Sequence, residues 1–259
     1  MCSDGVDKLS GFSGASAIIL ATDEAESLKK TVEIILSTCK SEDVAEIIIL
    51  VCDRTTSECM KSAKEAEKMS DEVRITVKKQ STDNVIEGIY ECLEICTGSH
   101  YAVIGADMDT DPALLAKFTD KAKEKPDAVI CASRWIEGGG FEGYGAVIGI
   151  KNFLAQKLVR TLFNTKLTDF TYSYRLVPIK VLRGIVCKSR DKSFGLENIL
   201  IFIRLGFEII EIPAVWKNRT EGKSSRRVRD DLCYLRTIAR VRMAKKEKLL
   251  ASVNRKGKE

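Results

Sequence analysis

Three aspartates at alternate positions, Asp107, Asp109 and Asp111, follow the apolar run Tyr101-Ala102-Val103-Ile104 and precede Pro112. This pattern reads as a strand that delivers carboxylates to the edge of a sheet, with a proline opening a helix behind them. Mg2+ and Mn2+ are hard cations that prefer oxygen, and they commonly bind one or two carboxylates together with phosphate oxygens. The Asp-x-Asp spacing therefore points to a metal that holds a phosphorylated substrate. A plainer reading covers Asp111, which suits a helix N-cap directly before Pro112. It leaves Asp107 and Asp109, whose mutual repulsion calls for a compensating cation.

Two further stretches carry reactive side chains. Residues 133–145, Ser-Arg-Trp-Ile-Glu-Gly-Gly-Gly-Phe-Glu-Gly-Tyr-Gly, hold five glycines in thirteen residues and still present Arg134, Trp135, Phe141 and Tyr144. Bare glycine linkers do not carry such residues, so this reads as a loop that covers a substrate. Residues 168–175 form a polar, aromatic turn that contains Asp169 and Arg175. The single histidine, His100, stands at the start of the strand that feeds the aspartates, and its position predicts a structural role. With one histidine placed there, Ser-His-Asp and Cys-His machinery is excluded.

These groups need a scaffold that gathers them at one edge. Residues 17–21, 46–51, 73–77, 101–105 and 128–132 read as short apolar strands. Helical patterns at about 24–38, 57–69 and 112–123 stand between them, with another that Asp83 can cap. Continuous apolar strands interleaved with helices predict an α/β fold with a mostly parallel sheet flanked by helices. Ligands bind such sheets at the C-terminal ends of the strands. The residues found there are Asp23 and Glu24, Asp53, Gln80 to Asp83, Asp107 to Asp111, and Ser133-Arg134. No Gly-x-Gly-x-x-Gly follows the first strand and no Walker loop is present, which excludes those dinucleotide and P-loop sites. An acidic edge with a divalent ion suits a nucleoside diphosphate.

Downstream, a helix is expected over 146–163, another around Val181, and a helix then strand over 197–211 with Gly206 as helix cap. From Arg226 the pattern predicts one long basic helix, with Val228, Leu232, Leu235, Ala239, Met243, Leu250 and Val253 along one stripe. The chain has 259 residues, 44% hydrophobic and 31% charged, which describes a globular protein with a full core. No apolar run approaches the roughly 18 residues of a membrane span. Residues 1–15 read as a flexible lead-in without a signal core. Nine cysteines without a Cys-x-x-Cys read as reduced, buried thiols, which predicts a cytoplasmic setting. Residues 217–259 carry fifteen Lys and Arg against five Asp and Glu, a net of +10, so the first 216 residues carry −5. The acidic edge and the scarcity of aromatics in the basic tail argue against a nucleic-acid partner.

In order, these segments resemble a family 2 glycosyltransferase of the GT-A fold, and most of all the dolichol- or polyprenyl-phosphate sugar synthases. The resemblance spans 16–225. Ile18-Ile19-Leu20-Ala21-Thr22-Asp23-Glu24 is similar to the family's strand followed by Pro-Thr-Tyr-Asn-Glu, without the proline. Val51-Cys52-Asp53-Arg54-Thr55-Thr56 resembles its Asp-Asp-Gly-Ser-Thr, with Cys52 in place of the first acid. The aspartate cluster resembles Asp-Ala-Asp-Leu-Gln. A gapless match puts Gly105 at the first aspartate, while a shift of two makes Asp107 and Asp109 the pair. Ser133-Arg134-Trp135-Ile136-Glu137-Gly138-Gly139 resembles Ser-Arg-Tyr-x-x-Gly-Gly. Asp169-Phe170-Thr171-Tyr172-Ser173-Tyr174-Arg175 resembles Asp-x-Thr-Ser-Gly-Phe-Arg. Glu197 and Glu211-Ile212-Pro213 resemble later family elements, and Arg219-Thr220-Glu221-Gly222-Lys223-Ser224-Ser225 resembles Arg-x-x-Gly-x-Ser-Lys.

The resemblance implies a GT-A domain at 16–225 and a basic amphipathic helix at 226–259. It implies an inverting transfer from a nucleotide-diphosphate sugar, with Mg2+ or Mn2+ on Asp107 and Asp109. Thr22, Asp23, Glu24, Asp53 and Asp107 would bind the donor, and Arg219 and Lys223 its diphosphate or an acceptor phosphate. Ser133, Arg134, Trp135, Gly138 and Gly139 would form the acceptor loop, with Asp169, Arg134 and Arg175 as catalytic residues. A polyprenyl or dolichyl phosphate acceptor is already an oxyanion. A glycan hydroxyl needs a general base, for which Asp169 comes first and Glu137 and Glu197 follow. Asp169 could instead orient Arg134 or Arg175. Two alternatives remain: a soluble glycosyltransferase acting on a sugar hydroxyl, and a non-catalytic GT-A-like binding domain. The helix at 226–259 would pack on the domain or a partner, or else meet an anionic membrane surface, which would make the protein peripheral on the cytoplasmic face; the remaining partner is a second copy in a homo-oligomer.

Overall fold

The computed structural model describes residues 11–143, 146–217, 221 and 229–251. Strands and helices alternate in its first half: β1 (Ala15–Leu20), α1 (Glu26–Thr38), β2 (Val44–Val51), α2 (Ser57–Ala66), β3 (Arg74–Lys79), α3 (Val85–Ile95), β4 (His100–Gly105), α4 (Leu114–Glu124) and β5 (Val129–Ser133). The second half adds β6 (Gly140–Phe141), α5 (Ala146–Phe163), β7 (Arg175–Pro178), α6 (Ile179–Arg183), α7 (Phe194–Leu205), β8 (Ile209–Pro213), β9 (Val215–Trp216) and α8 (Arg229–Met243).

Among the described residues seven strands form one sheet in the order β3-β2-β1-β4-β7-β5-β8, and β6 pairs with β9 apart from it. Every pairing in the large sheet is parallel except those of β7, which runs antiparallel between β4 and β5. Ile-rich strands suit this arrangement because both faces are covered. Ala17, Ile19, Ile47 and Ile49 face one layer with Leu28, Val32, Ile35 and Phe118. Ile18, Ile48 and Leu50 face the other with Ile89, Leu93, Ile199 and Phe202. The expected mostly parallel α/β fold is thus observed.

Particular elements depart from expectation. β7 lies where a turn leading to a helix was expected. Asn84, not Asp83, caps α3 by accepting from Ile86 N–H at 2.9 Å. Asp111 accepts from Ala113 N–H at 3.0 Å, so it caps a tight turn, and α4 itself begins at Leu114. Gly206 does end α7 in the left-handed conformation, at φ 82°. The basic helix is shorter than expected: α8 stops at Met243, and a short 3-10 turn, Lys246–Lys248, follows. Leu250 leaves the predicted helical stripe altogether and bridges to Ile185. The face of α8 differs as well. Thr237 and Val241 are buried, whereas Leu232, Leu235 and Met243 point to solvent. The docked face carries Tyr234, Ile238 and Val241 against the core, and Arg240 beside them donates to Glu197 at the start of α7 at 3.0 Å.

His100 is buried in β4, within 2.8 Å of Ser99 Oγ and 3.0 Å of the Pro126 carbonyl. Burial pushes its pKa down to about 4. Eight described cysteines are free, and burial raises Cys59, Cys92 and Cys131 to about 12, which leaves them as inert core thiols.

Candidate active site

The parallel register sets the strand exits side by side. Leu20 of β1 lies between Leu50 of β2 and Gly105 of β4. Past these residues the loops stay tied together. Ala21 N–H donates to the Leu50 carbonyl at 3.1 Å, Ala106 N–H to the Leu20 carbonyl at 3.1 Å, and Thr56 N–H to the Thr22 carbonyl at 2.8 Å. Thr22–Glu24, Asp53 and Asp107–Asp111 therefore share one edge, as expected. Their side chains do different things. Glu24 folds back and accepts from Thr22 N–H at 2.8 Å and Asp23 N–H at 3.0 Å, so it shapes its own turn. Asp23 is exposed, and Asp53 is exposed and paired with Lys79 at 2.6 Å.

Asp107 is 9% exposed and leans over Gly105, where a Cβ would stand 2.8 Å from Asp107 Oδ1. Met108 adopts φ 60°, a conformation that costs a non-glycine residue roughly 1 kcal/mol or more. Its sulfur accepts from the Thr31 hydroxyl of α1 at 3.3 Å. This kink lets Asp109 follow Asp107 on the same short turn, with Asp109 N–H 3.4 Å from Asp107 Oδ1. The Asp109 carboxylate accepts from Thr110 Oγ1 at 2.9 Å and from Trp216 Nε1 at 3.3 Å. Among the described residues no group of three or more His, Cys, Asp or Glu is arranged to hold a metal. Two hard carboxylates on a fixed turn still fit Mg2+ or Mn2+ if other oxygens, such as those of a diphosphate, complete the shell.

The other half of the site descends from β5. Arg134 grips Asp169 through two hydrogen bonds, Nε at 2.7 Å and a terminal nitrogen at 2.8 Å, and its backbone N–H adds a third at 3.1 Å. Asp169 is fully buried and also accepts from Tyr172 N–H at 3.1 Å. Gln156 of α5 reaches Thr171 Oγ1 at 2.9 Å and Asp169 at 3.3 Å. Glu211 of β8 accepts from Thr168 N–H and Asp169 N–H. The Arg134 guanidinium lies 4.6 Å from the centre of the Tyr172 ring. The Tyr172 hydroxyl then donates to Thr110 Oγ1 at 2.9 Å, and Thr110 donates to Asp109. A continuous run of contacts thus joins the loop after β5 to the aspartate turn after β4.

Three of the expected site residues are closed in by their partners. Asp169 is saturated and closed to solvent, an arrangement that suits the option in which it orients Arg134. Arg175 is a buried strut that donates to the carbonyls of Gly195 at 2.5 Å and Phe170 at 2.9 Å. Glu197 is 2% exposed and accepts from Cys187, Ser189 and Arg240 around α8, away from the aspartate turn. Ser133 fixes Thr168 at 2.7 Å, Gly139 packs where a Cβ would meet the Ser133 carbonyl at 2.6 Å, and Gly138 takes φ 83°. The Trp135 ring rests 4.9 Å from Phe141, and its buried Nε1 has no hydrogen-bond partner among the described residues.

Arg219 and Lys223 lie outside the described residues. Glu221 between them is described, and its carboxylate accepts from Ser27 N–H at 3.1 Å and Ser27 Oγ at 2.8 Å. Burial works against its ionisation, but bonds from Ser27, Glu26 and Ala25 outweigh it and hold its pKa low. Sequence reasoning missed Trp216, Thr110, Tyr172, Gln156 and Glu221 as contributors. Gln156 carried only a weak signal, since Asn152 and Gln156 are two amides one turn apart in α5. Trp216 carried none, because its partner comes from 107 positions earlier.

The chain matches the pattern of Glycosyl transferase family 2 across residues 16–185. It belongs to glycosyl transferase family 2. The solved structures similar to it include glucosyl-3-phosphoglycerate synthase from Mycobacterium tuberculosis. One such structure contains Mn2+, UDP-glucose and phosphoglyceric acid; it shows 13% identity and a TM-score of 0.65, covering 89% of this chain and 80% of that one. Another contains Mn2+, UDP and phosphoglyceric acid; it shows 14% identity and a TM-score of 0.63 over 90% and 80% of the two chains. This likeness shows the shared GT-A fold. As a member of the family the chain is a glycosyltransferase, built on a sheet whose strand exits carry the aspartate turn on one side and the Arg134–Asp169 clamp on the other.

Proposed function

We propose that this glycosyltransferase moves a sugar, with inversion, from a nucleotide-diphosphate sugar to the phosphate of a polyprenyl or dolichyl lipid. The observation that carries the reading is the state of Asp169. It is 0% exposed and fully engaged, so a hydroxyl acceptor finds no free base there. A lipid phosphate needs none, since its oxygen is already anionic. That oxygen attacks the anomeric carbon as the bond to the donor diphosphate breaks, and the nucleoside diphosphate leaves with the electron pair. Thr22, Asp23 and Asp53 hold the base and ribose at the β1 and β2 exits. Asp107 and Asp109 would hold Mg2+ or Mn2+, which would supply charge neutralisation to the leaving diphosphate. Trp216 and Thr110 fix the orientation of Asp109, as outer partners of a metal carboxylate do. Arg219 and Lys223 supply cations to the diphosphate or the acceptor phosphate. Arg134, held by Asp169, and Trp135 line the acceptor side with Ser133, Gly138 and Gly139.

A second reading is a glycosyltransferase for a small, soluble acceptor. The bound phosphoglyceric acid of the similar structures favours it. Glu137, exposed in the loop, is the remaining candidate base for that chemistry. Thermal unfolding against a panel of nucleotide sugars, with and without Mn2+, tests the shared part. One donor should raise Tm only with metal, and Asp107→Asn should abolish that rise. No shift with any donor would return the chain to the class of non-catalytic binding domains. Product formed on polyprenyl phosphate in detergent, and not on soluble phosphorylated or sugar acceptors, separates the two readings.

A further inference from the structure

Helix α5 carries a row of apolar residues on its outer face. Gln156, Val159 and Phe163 are buried, while Ile150, Phe153, Leu154, Leu158 and Leu162 are 62, 51, 58, 50 and 40% exposed. At about 100° per residue, these five share one face, centred opposite the three buried positions. Single exposed aliphatic residues need no explanation, but a contiguous stripe of them marks an interaction surface. Among the described residues no helix is long and apolar enough to cross a membrane, so this face is not part of a span.

The charges around the stripe select its partner. Lys151, Lys157 and Arg160 lie on α5 and Lys166 follows it, with no carboxylate anywhere in 146–168. A second copy docked face to face would set these cations against their own equivalents. An anionic bilayer matches both features: its acyl region takes the aliphatic row, while Lys and Arg stems extend past it to the lipid phosphates. The helix also borders the acceptor loop. The Phe153 ring lies 5.5 Å from Trp135, and Gln156 on the opposite face bonds Thr171 and Asp169.

We propose that the outward face of α5 is the surface by which this protein lies on an anionic phospholipid bilayer. This places the membrane contact on α5, beside the acceptor loop, instead of on the basic C-terminal helix. The proposal gains its purpose from the lipid-phosphate reading, but its test is independent of catalysis.

The test is co-sedimentation of the full-length chain with phosphatidylcholine–phosphatidylglycerol vesicles at low salt. The wild type should bind, and Leu154→Glu/Leu158→Glu should lose at least about tenfold in affinity. Lys151→Ala/Lys157→Ala/Arg160→Ala removes only exposed cations and should weaken binding as well, which keeps the test open if the first variant folds poorly. Leu232→Glu/Leu235→Glu on α8 should bind as the wild type does. The proposal is overturned if the wild type ignores these vesicles or if both α5 variants bind them unchanged. It is also overturned if light scattering shows a dimer that the leucine variant dissolves. Failure to make product on polyprenyl phosphate in detergent, with vesicle binding intact, would remove the acceptor reading and leave the docking surface standing.

Discussion

At the scale of single residues, the aspartate turn depends on what is missing beside it. Gly105 stands where a gapless comparison with the family places an aspartate, and its lack of a Cβ is what lets Asp107 lean inward. A Cβ there would sit 2.8 Å from Asp107 Oδ1. Gly105→Ala should therefore push Asp107 aside and weaken Mn2+ binding roughly tenfold, as loss of a supporting contact around a metal ligand does. Calorimetric titration of Mn2+ in the presence of a nucleoside diphosphate measures this, and unchanged affinity would show that the turn tolerates the shift. The position of the two carboxylates past β4 was legible in the sequence because an apolar run followed by alternate acids marks a strand and its exit. The role of Asp169 was legible only as a pair of options, since burial decides between base and anchor and burial is a tertiary property.

At the scale of elements, α8 is held by an apolar face of Tyr234, Ile238 and Val241 and by a buried carboxylate beside it. Glu197 Oε2 takes bonds from Arg240, Cys187 and the N–H groups of Lys188 and Ser189. Glu197→Ala strands these donors, at a cost of about 1–3 kcal/mol for the buried ones. The expected outcome is a lower urea midpoint together with faster proteolytic cleavage within 229–243. A variant that lost activity with both of these unchanged would contradict the anchoring role. The same element shows where periodicity misleads. Leu232, Leu235, Ala239 and Met243 make a plausible helical stripe, yet the docked face carries Tyr234, Thr237, Ile238 and Val241. β7 escaped notice for a related reason: Arg175-Leu176-Val177-Pro178 is short, carries a charge and ends in proline. Its strand identity comes from β4 and β5 on either side. By contrast, β1 to β5 and α5 were plain from apolar runs and period alone, because each carries its own pattern.

For the molecule as a whole, His100 couples stability to pH. Its folded pKa of about 4 lies below the ordinary 6.5, so the unfolded chain takes up a proton first as pH falls. Stability contributed by the neutral ring is intact above pH 6.5 and is lost progressively down to about pH 4. The loss totals about 3 kcal/mol for a shift of this size. Urea unfolding at pH 7.5 and 5 should show it, and His100→Gln should flatten the slope between those values. A slope that survives the substitution would assign it to other groups. The antiparallel β7 has a wider consequence. β1 to β4 are all present once residue 105 has been made, and β5 follows, yet β4 and β5 do not pair with each other. On the ribosome the growing chain must carry an open edge on β4 until residues 175–178 emerge to close it. Premature termination or a translational pause between 105 and 175 would thus leave an unpaired strand edge, a template for association with other chains.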